Sequence, residues 1–541
     1  MSILSEMKTW GRFLLGLRAF LKNTISLEDA REIVRKRLES REANFLRLME
    51  RSIFGYSRSP YLRLLKLAGC EMGDIRNMVR DRGLEETLYA LREAGVYVTF
   101  EEFKGREPIV RNGEVISVQP GDFDNPYLHE FFCAESGGST GASTRILIDL
   151  NHLATQSPVL MLSRDAHGIP LDVPTATWFD ILPDPAGVNE ILRPARFGNI
   201  PNKWFSPYTT RAFRPSFAAK CRLATQSMII AGRLFGKPIP WPQSVAFDQA
   251  IVIAQWVVDT LRDRGNCLFC SHVSWALRVS IAAWEAGMDL NGATFMAAGE
   301  PPTKAKVQGI IRTGARWVPY YPFSEHGTVG IGCAQPADEN DVHFFRDMLA
   351  LIQFPRRVPG SKITVDAFNF TSLMPTAPKI LLNVESDDYG LIEKRSCGCP
   401  LEACGFTEHL RHIRSFSKLT GEGGTLVGSE MVRILEEVLP ARFGGSPLDY
   451  QLIEEEDEDG FTRLSLVVNP TIHTEDDEVV IKTILGALKQ KTYARGRGST
   501  AADRTRSIWK QARTLRIKRM RPILTSHGKL MPLHVAKRFK E

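Results

Sequence analysis

Apolar residues follow a helical period near the start of the chain. Within residues 8–22, six apolar side chains fall on one side of a helix, with basic residues around them. These six are Trp10, Phe13, Leu14, Leu17, Phe20 and Leu21. A basic amphipathic helix of this kind either docks on the protein's own core, which we expect here, or contacts a membrane surface.

The helical pattern continues as far as about residue 113. Ser26 and Asp29 predict the start of a second helix, which runs to about residue 51. Residues 83–95 carry leucines at helical spacing and predict another helix. We therefore expect a helical lead-in over residues 1–120.

From about residue 121 the pattern changes to short apolar runs that alternate with helical stretches. Residues 249–262 predict a buried helix, and residues 294–298, 315–321 and 379–384 predict strands. This alternation is typical of an α/β domain, which we assign to residues 121–413.

The last part of the chain has a different pattern of apolar and polar residues. Residues 449–455 and 461–468 predict two strands, and residues 476–489 predict a helix. Residues 420–424 are rich in glycine and suit a hinge or a tight hairpin. The pattern predicts a separate, mobile α+β domain over residues 414–541, so the fold class is α/β with a large multi-layered domain and a small one.

Composition narrows the classes of function. The net charge of the 541 residues is +7, but residues 491–541 alone carry +13, which leaves −6 for the rest. The tail has few aromatic residues and resembles no RNA or DNA module, so we expect a solvated basic face or an acidic or phosphorylated partner, and no nucleic acid.

The chain offers no predicted membrane anchor. It has no run of about 18 apolar residues, and its first residues lack the features of a signal peptide. Its nine cysteines fit a reducing compartment, with thiols free or bound to metal. We expect a cytoplasmic protein.

Residues 136–141 form a loop of glycine, serine and threonine directly before the apolar residues 146–148. A loop of this composition is either a flexible connection or a cradle of N–H and hydroxyl groups for phosphate oxygens. It is not a Walker loop, because the Gly-Lys-Ser/Thr ending is missing. The predicted strands end at residues 299–302, 322–327 and 385–390, and ligands of open α/β sheets bind at such ends.

These segments resemble motifs of the adenylate-forming superfamily of acyl-CoA synthetases, in the same order. Residues 136–141 (Ser-Gly-Gly-Ser-Thr-Gly) resemble its phosphate loop, and residues 299–301 (Gly-Glu-Pro) resemble a Gly-Gly-Glu segment of its phenylacetate-CoA ligase branch. Residues 321–325 (Tyr-Pro-Phe-Ser-Glu) resemble its Tyr-Gly-x-Thr/Ser-Glu motif. Residues 386–388 (Ser-Asp-Asp) resemble its Thr-Gly-Asp motif.

A fifth segment lies in the predicted small domain. Residues 524–530 (Leu-Thr-Ser-His-Gly-Lys-Leu) resemble the closing Thr-x-x-Gly-Lys loop of the superfamily. The resemblance spans roughly residues 50–535 and is nearest the phenylacetate-CoA ligase and luciferase-pathway acyl-protein synthetase branches.

The resemblance implies a role for each matching residue. Lys529, Glu325 and Thr140 would be catalytic, and Glu325 would help to hold Mg²⁺. Tyr321 would flank the adenine and Asp388 would bind the ribose hydroxyls. The nucleotide-binding residues that it implies are Ser136, Gly137, Gly138, Ser139, Thr140, Gly141, Gly299, Glu300, Pro301, Tyr321, Ser324, Asp388 and Lys418.

The chain also departs from the superfamily pattern. Pro322 and Asp387 stand where the motifs have glycine, and Arg145 stands in place of a lysine that often follows the phosphate loop. Residues 414–418 lie about where the hinge motif is expected, without matching it.

The implied activity is ATP- and Mg²⁺-dependent activation of a small carboxylic acid as an acyl-adenylate, followed by transfer to a thiol. CoA is the expected acceptor, and an acyl carrier protein, a protein cysteine or an amine are the alternatives. The contrasting hypothesis is a non-catalytic protein that binds a nucleotide or nucleic acid, with its function in the basic tail. Under that hypothesis Glu325 and Asp388 are solvated loop carboxylates and Lys529 is one more tail charge.

Two sets of cysteines complete the candidates. Cys333, His343, Cys397 and Cys399 are a candidate Cys₃His set for structural Zn²⁺, and independent buried thiols are the alternative. Some phenylacetate-CoA ligase relatives resemble this chain in carrying Cys-x-Cys at this place. Cys267 and Cys270 form a separate Cys-x-x-Cys that we assign to helical packing rather than to redox chemistry.

Overall fold

A computed structural model gives the architecture of the chain. The structure describes residues 3–129, 131–135, 145–207, 215–357, 364–415, 418–421, 424–427, 433–473, 476–494, 500–523 and 533–535.

Seventeen α-helices lie in these residues. They are α1 (Ile3–Lys22), α2 (Leu27–Glu39), α3 (Arg41–Leu48), α4 (Pro60–Leu67), α5 (Met72–Arg82), α6 (Leu84–Glu93), α7 (Phe100–Phe103), α8 (Leu150–Ala166), α9 (Pro185–Ala195), α10 (Pro215–Leu234), α11 (Ala250–Arg264), α12 (Val273–Glu285), α13 (Lys304–Ile311), α14 (Pro400–Ala403), α15 (Leu439–Phe443), α16 (Asp477–Ala494) and α17 (Thr500–Ala512).

The described residues also contain 22 strands. They are β1 (Ile109–Arg111), β2 (Glu114–Ile116), β3 (Phe131–Glu135), β4 (Arg145–Asp149), β5 (Thr175–Trp178), β6 (Lys203–Ser206), β7 (Pro242–Ser244), β8 (Cys267–His272), β9 (Ala293–Ala298), β10 (Arg316–Phe323), β11 (Gly327–Gly332), β12 (Val342–Phe344), β13 (Leu349–Arg357), β14 (Thr364–Ser372), β15 (Val384–Lys394), β16 (Glu408–Ser415), β17 (Lys418–Gly421), β18 (Gly424–Val427), β19 (Tyr450–Glu456), β20 (Thr462–Val468), β21 (Leu515–Arg519) and β22 (Leu533–Val535).

The helical lead-in follows its hydrophobic pattern closely. Phe13, Leu17 and Leu21 of α1 are fully buried, so the apolar face of this helix docks on the protein's own core, as expected. Helix α2 begins with a capping box in which Ser26 and Asp29 bond to each other's backbone N–H. The predicted second helix is interrupted at Ser40, whose ψ of 13° leaves the helical region, and α3 follows.

A twelve-stranded sheet forms the centre of the molecule. Its strand order is β13-β14-β15-β16-β12-β11-β10-β9-β8-β5-β6-β7. The strands from β10 to β7 pair in parallel, whereas β10 to β13 pair antiparallel. Strands β9 and β10 confirm the predictions for residues 294–298 and 315–321, and helices cover the buried sheet as an α/β fold requires.

The prediction of a strand over residues 379–384 is wrong. These residues are an irregular apolar segment, and the strand β15 begins only at Val384. Ile380, Leu381 and Leu382 are buried, but the backbone N–H of Ile380 donates to the carbonyl oxygen of Phe123, just after the lead-in, instead of to a sheet neighbour. Asp388 consequently lies within a strand rather than in a loop after one, because a short apolar run does not distinguish a strand from a buried irregular segment.

The small lobe is built around a four-stranded sheet in the order β21-β20-β19-β22. Strands β19 and β20 and helix α16 confirm the predicted elements, and β17 pairs antiparallel with β18, with Gly421 opposite Gly424. Buried apolar residues are continuous from Trp275 of α12 to Leu464 and Trp509 of the small lobe. No helix within the described ranges is long and apolar enough to cross a membrane.

Candidate active site

Tyr321 and Asp388, which the sequence analysis selected separately, contact each other. The Tyr321 hydroxyl on β10 donates to Asp388 Oδ2 on β15 at 2.9 Å. Ser415, the last residue of β16, donates its hydroxyl to Asp388 Oδ1 at 2.5 Å. Burial and the Asp388 carboxylate raise the pKa of Tyr321 well above its usual value, so its hydroxyl remains a donor. Two hydroxyl donors thus orient this carboxylate.

Pro322 is accommodated by an irregularity in the strand. The register of β10 against β11 shifts between Tyr321 and Pro322. A proline has no N–H to donate to a ladder, and bulges are one of the places where strands tolerate it. Pro322, which stands where the superfamily motif has glycine, therefore leaves Tyr321 near the end of β10.

Glu325 lies in the turn between β10 and β11 and is 9% exposed. Its carboxylate forms an ion pair with Lys104, which follows α7 of the lead-in. Burial alone would raise the pKa of Glu325, but the ammonium groups of Lys104 and Lys379 outweigh it and hold this pKa below its usual value. Glu325 is therefore an anion at neutral pH, and Ser324 beside it is exposed.

A buried polar network joins this turn to the stem of the predicted phosphate loop. Strands β3 and β4 pair as a hairpin whose connecting residues are 136–144, and β4 leads directly into α8. In α8, Gln156 donates its side-chain amide to the backbone carbonyl of His326 at 2.6 Å, and His152 contacts the same carbonyl. Burial lowers the pKa of His152 to about 4, so the ring is neutral at physiological pH.

Gly299 and Gly327 are required by close contacts at two strand ends. Gly299 has a φ of +86°, and a Cβ there would lie 2.3 Å from His272 Nδ1. Gly327 has a φ of +97°, and a Cβ there would lie 2.2 Å from the Gln156 amide. Both positions combine a left-handed backbone with no room for a side chain.

Glu300 is fully buried in an ion pair rather than open to solvent. Lys306 of α13 lies 2.8 Å from Glu300 Oε2, and the backbone N–H of Ser274 donates to Glu300 Oε1 at 2.8 Å. Ser274 lies in the first turn of α12, where backbone N–H groups favour an anion. The segment 299–301 is thereby fixed to the beginning of α12.

The same lysine links this segment to the small lobe. Lys306 Nζ donates to Thr462 Oγ1 on β20 at 2.9 Å. Thr303 donates its hydroxyl to Glu456, the last residue of β19. We call these two contacts, Lys306–Thr462 and Thr303–Glu456, the lobe latch. Strand β22 lies parallel to β19 in the same small sheet.

The side chains of several predicted site residues lie outside what the structure describes. Lys418 lies in β17, and only its backbone is described. The other residues lie outside the described ranges: Ser136, Gly137, Gly138, Ser139, Thr140, Gly141 and Lys529.

Cys333, His343, Cys397 and Cys399 do come together, at the antiparallel end of the large sheet. Their ligand atoms lie within 4.8 Å of one another, and His343 Nε2 lies 3.0 Å from Cys399 Sγ. His343 Nδ1 lies 2.7 Å from the carbonyl oxygen of Phe406. If Nδ1 carries the proton, the lone pair of Nε2 faces the thiols, as a metal-ligating histidine requires.

The other Cys-x-x-Cys pair has no such surroundings. Cys267 and Cys270 lie in β8, not in a helix. Burial raises the pKa of each thiol to about 12. A low thiol pKa is what redox cysteines need, so packing is the better interpretation of this pair.

Sequence reasoning missed Lys104, Lys306 and Ser415. Lys104 is 221 positions from Glu325 along the chain, and no local pattern signals such a pairing. Ser415 belongs to the segment that the sequence analysis assigned to the hinge, and its contact with Asp388 gives that segment a role beside the carboxylate.

Comparisons with known proteins give the fold. No family model and no curated protein matches the sequence. The crystal structure of 2-hydroxyisobutyryl-CoA ligase in complex with 2-HIB-AMP and CoA matches with a TM-score of 0.54 and 14% identity, over 92% of this chain and 90% of that chain.

Two further solved structures match more distantly. The anthranilate CoA ligase AuaEII in complex with anthranoyl-AMP has a TM-score of 0.34 and 12% identity, over 94% of this chain and 97% of that chain. The McyG A-PCP protein with phenylalanyl-adenylate has a TM-score of 0.35 and 9% identity, over 86% of this chain and 78% of that chain. The chain has the fold of the adenylate-forming acyl-CoA ligases, as the first of these matches establishes.

The lobe latch generates a first prediction. Thr462→Val removes the acceptor for Lys306 from the small lobe and leaves the buried Glu300–Lys306 pair intact. We expect faster hydrogen–deuterium exchange in residues 299–306 and 454–462, because a contact between the lobes is lost. Thr471→Val, at an exposed position of the small lobe, is the matched control. Exchange in Thr462→Val equal to that in the control would contradict the latch.

Proposed function

We propose that the protein is an ATP-dependent acid–thiol ligase, with CoA as the acceptor. The observation that carries the proposal is the contact between Tyr321 and Asp388 beside the Glu325 turn, at the end of β10 in a fold matched to a CoA ligase over nine-tenths of its length. Two motif residues separated by 67 positions in sequence meet there.

The first half-reaction joins two anions. An oxygen of the substrate carboxylate attacks the α-phosphorus of ATP, the bond from that phosphorus to the bridging oxygen breaks, and pyrophosphate leaves. Fixed donors and cations must neutralise the charge that collects at the phosphates. Ser139, Thr140 and the loop amides would hold the β- and γ-phosphates, and Lys529 would bridge the carboxylate and the α-phosphate.

The nucleoside would be held at the strand ends. Tyr321 and residues 299–301 would flank the adenine, Asp388 would accept hydrogen bonds from the ribose hydroxyls, and Lys418 would contact the nucleotide from the hinge side. The Tyr321 and Ser415 hydroxyls orient the Asp388 carboxylate for that purpose. A rigid carboxylate loses less entropy on binding than a mobile one.

Mg²⁺ would supply charge neutralisation across the phosphates, with Glu325 as a ligand. The carboxylate fits this role because it is an anion held at a defined place. Lys104, which pairs with this carboxylate, would also offer positive charge to the phosphates.

In the second half-reaction the thiol of CoA attacks the acyl carbonyl carbon, its proton is lost, and AMP leaves. The small lobe would turn about residues 414–418 between the two steps. Ser415 lies in this segment and donates to Asp388, so a turn of the lobe would also change the surroundings of this carboxylate. The basic tail would suit either the phosphates of CoA or an acidic carrier protein.

A structural zinc ion is a second proposal, carried by the convergence of three thiols and one imidazole. Tetrahedral zinc with Zn–S bonds of about 2.3 Å places its sulfur ligands about 3.8 Å apart. The ligand atoms of Cys333, His343, Cys397 and Cys399 all lie within 4.8 Å of one another, which is close to the spacing that a zinc ion requires. A hydrogen bond from Cys333 lowers the pKa of Cys399, which favours the thiolate that zinc binds.

The ligase proposal predicts that Lys529→Ala impairs the first half-reaction and leaves the second intact. Acid-dependent release of pyrophosphate should fall at least about a hundredfold, because a charge that acts on the transferring phosphoryl group is lost. A preformed acyl-adenylate should still react with CoA, since that step breaks the acyl C–O bond and no bond to phosphorus. The matched control is Lys510→Ala in the same basic tail, which should change neither step.

Normal pyrophosphate release by Lys529→Ala would remove this lysine from the mechanism. Release of no pyrophosphate by the unmutated protein with any acid, together with RNA binding that weakens steeply with salt, would favour the nucleic-acid hypothesis. Transfer to a phosphopantetheine carrier but not to CoA would identify the carrier as the acceptor.

The zinc proposal predicts about one zinc ion per chain in protein purified without added metal, measured by elemental mass spectrometry. Cys399→Ser should lower the zinc content severalfold, because a thiolate ligand becomes a neutral hydroxyl. Cys267→Ser is the control, since it changes a buried thiol of another strand. Equal zinc in Cys399→Ser and the control would show that these four residues do not form the site.

A further inference from the structure

The outer faces of α1 and α10 form one surface on the side of the molecule that carries β6 and β7. Both helices bury their other faces in one apolar cluster, to which Phe13 and Leu17 of α1 and Met228 and Ile229 of α10 belong. Trp10 Nε1 donates to Ser227 Oγ at 3.1 Å, which joins the two helices side by side. We call this surface the α1/α10 face.

The α1/α10 face is basic, because the exposed charged side chains that the structure describes on these two helices are lysines and arginines. Residues 191–247 contain nine lysines and arginines and no aspartate or glutamate. Lys220, Arg222 and Arg233 are exposed on α10. On α1 the exposed residues are mainly basic and include Lys8, Arg12, Arg18 and Lys22. Arg193 is buried and paired with Glu190, so it adds nothing to this surface. The exposed lysines and arginines of the two helices have one sign and give the surface a positive potential.

Large apolar side chains lie exposed among these charges. On α10 Leu223, Ile230 and Leu234 are 67%, 49% and 79% exposed, and their spacing of seven and four positions puts them on one side of the helix. On α1 Leu15 is 79% exposed. Trp241 is 46% exposed, and the guanidinium of Arg233 lies 5.7 Å from the centre of its ring.

We propose that the α1/α10 face docks on the surface of a bilayer that contains anionic phospholipids. Such a surface offers phosphate charges to lysine and arginine, and a boundary of headgroups and acyl chains into which leucine, isoleucine and tryptophan insert by about 5–10 Å. From Leu223 to Leu234 the exposed residues of α10 extend over about 17 Å, enough to lie along a flat surface. The helix lies in the interface and does not cross the bilayer.

The chemistry of the face favours lipid over the two macromolecular alternatives. A nucleic acid is recognised through aromatic stacking and polar contacts with bases, whereas the exposed apolar side chains here are mainly aliphatic. An acidic protein would match the charge, but it would leave the exposed leucines without an apolar counterpart unless it carried one of its own. Anionic phospholipid supplies both components.

The experiment is co-sedimentation of the full-length protein with vesicles. The probes are vesicles of phosphatidylcholine alone and of phosphatidylcholine with phosphatidylglycerol, each at low and at high salt. We expect binding to the anionic vesicles at low salt, and at least about tenfold weaker binding to neutral vesicles or at high salt, because the attraction of lysine and arginine to the surface is screened.

Two variants locate the contact, and a third is their control. Leu223→Ser/Ile230→Ser/Leu234→Ser removes the apolar part, and Arg233→Gln/Trp241→Ser removes a stacked cation and aromatic ring. Arg312→Gln/Trp284→Ser removes the same kind of pair from another surface, where the Arg312 guanidinium lies 5.1 Å from the Trp284 ring centre. The first two variants should bind anionic vesicles about tenfold more weakly, and the control should bind like the unmutated protein.

The substituted side chains are exposed, and circular dichroism of each variant verifies that it is folded. Hydrogen–deuterium exchange gives an independent measurement, in which anionic vesicles should protect residues 215–241 of the unmutated protein. The proposal is overturned if the protein does not bind anionic vesicles at low salt, or if the first two variants bind them as well as the control does, which would place the contact outside the α1/α10 face. Loss of carrier-protein binding in these variants, with vesicle binding unchanged, would also overturn it.

Discussion

Three carboxylates beside the large sheet, Glu300 after β9, Glu325 after β10 and Asp388 within β15, have lost much of their contact with solvent and need other partners. Glu300 and Glu325 are buried and paired with Lys306 and Lys104, and Asp388 accepts hydrogen bonds from two hydroxyls. A buried charge without a partner costs several kcal/mol, so these partners are structural requirements. Each partner comes from a different part of the chain, and the site therefore exists only when those parts are assembled.

This requirement explains the arrangement of the segments around the sheet. The helical lead-in supplies Lys104, the residues leading to the small lobe supply Ser415, and the small lobe contacts Lys306 through Thr462. Movement of the small lobe would change the surroundings of Glu300 and Asp388 together. The contacts thus give a physical route by which the orientation of the lobes affects the nucleotide site that we propose.

Local pattern predicted most of the elements. Strands β9 and β10, the capping box at Ser26 and the hairpin partners β19 and β20 followed from period and turn chemistry, because these features involve neighbours in sequence. The four candidate zinc ligands also lie close together, as the sequence analysis expected. They are Cys333, His343, Cys397 and Cys399, and their segments adjoin one another beside the antiparallel part of the large sheet.

The sequence was less informative where distant segments compete for the same residues. It placed Asp388 in a loop, whereas Ile380 bonds to the backbone of Phe123 and the strand starts later, at Val384. It also gave no sign of Lys104 or Lys306, since a lysine in a helical region has the same local pattern whether it is solvated or buried. Such pairings are fixed by tertiary contacts and not by the residues beside them.

The most direct test of the account is acid-dependent exchange of radiolabelled pyrophosphate into ATP, measured over a panel of carboxylic acids for the unmutated protein and for Asp388→Asn. The control is Asp366→Asn, which changes an exposed aspartate on β14. The account predicts exchange with at least one acid, a loss of at least about tenfold in Asp388→Asn and no loss in the control, because a charged acceptor for the ribose hydroxyls is removed. Exchange by Asp388→Asn at the unmutated rate, or no exchange by the unmutated protein with any acid, would contradict it.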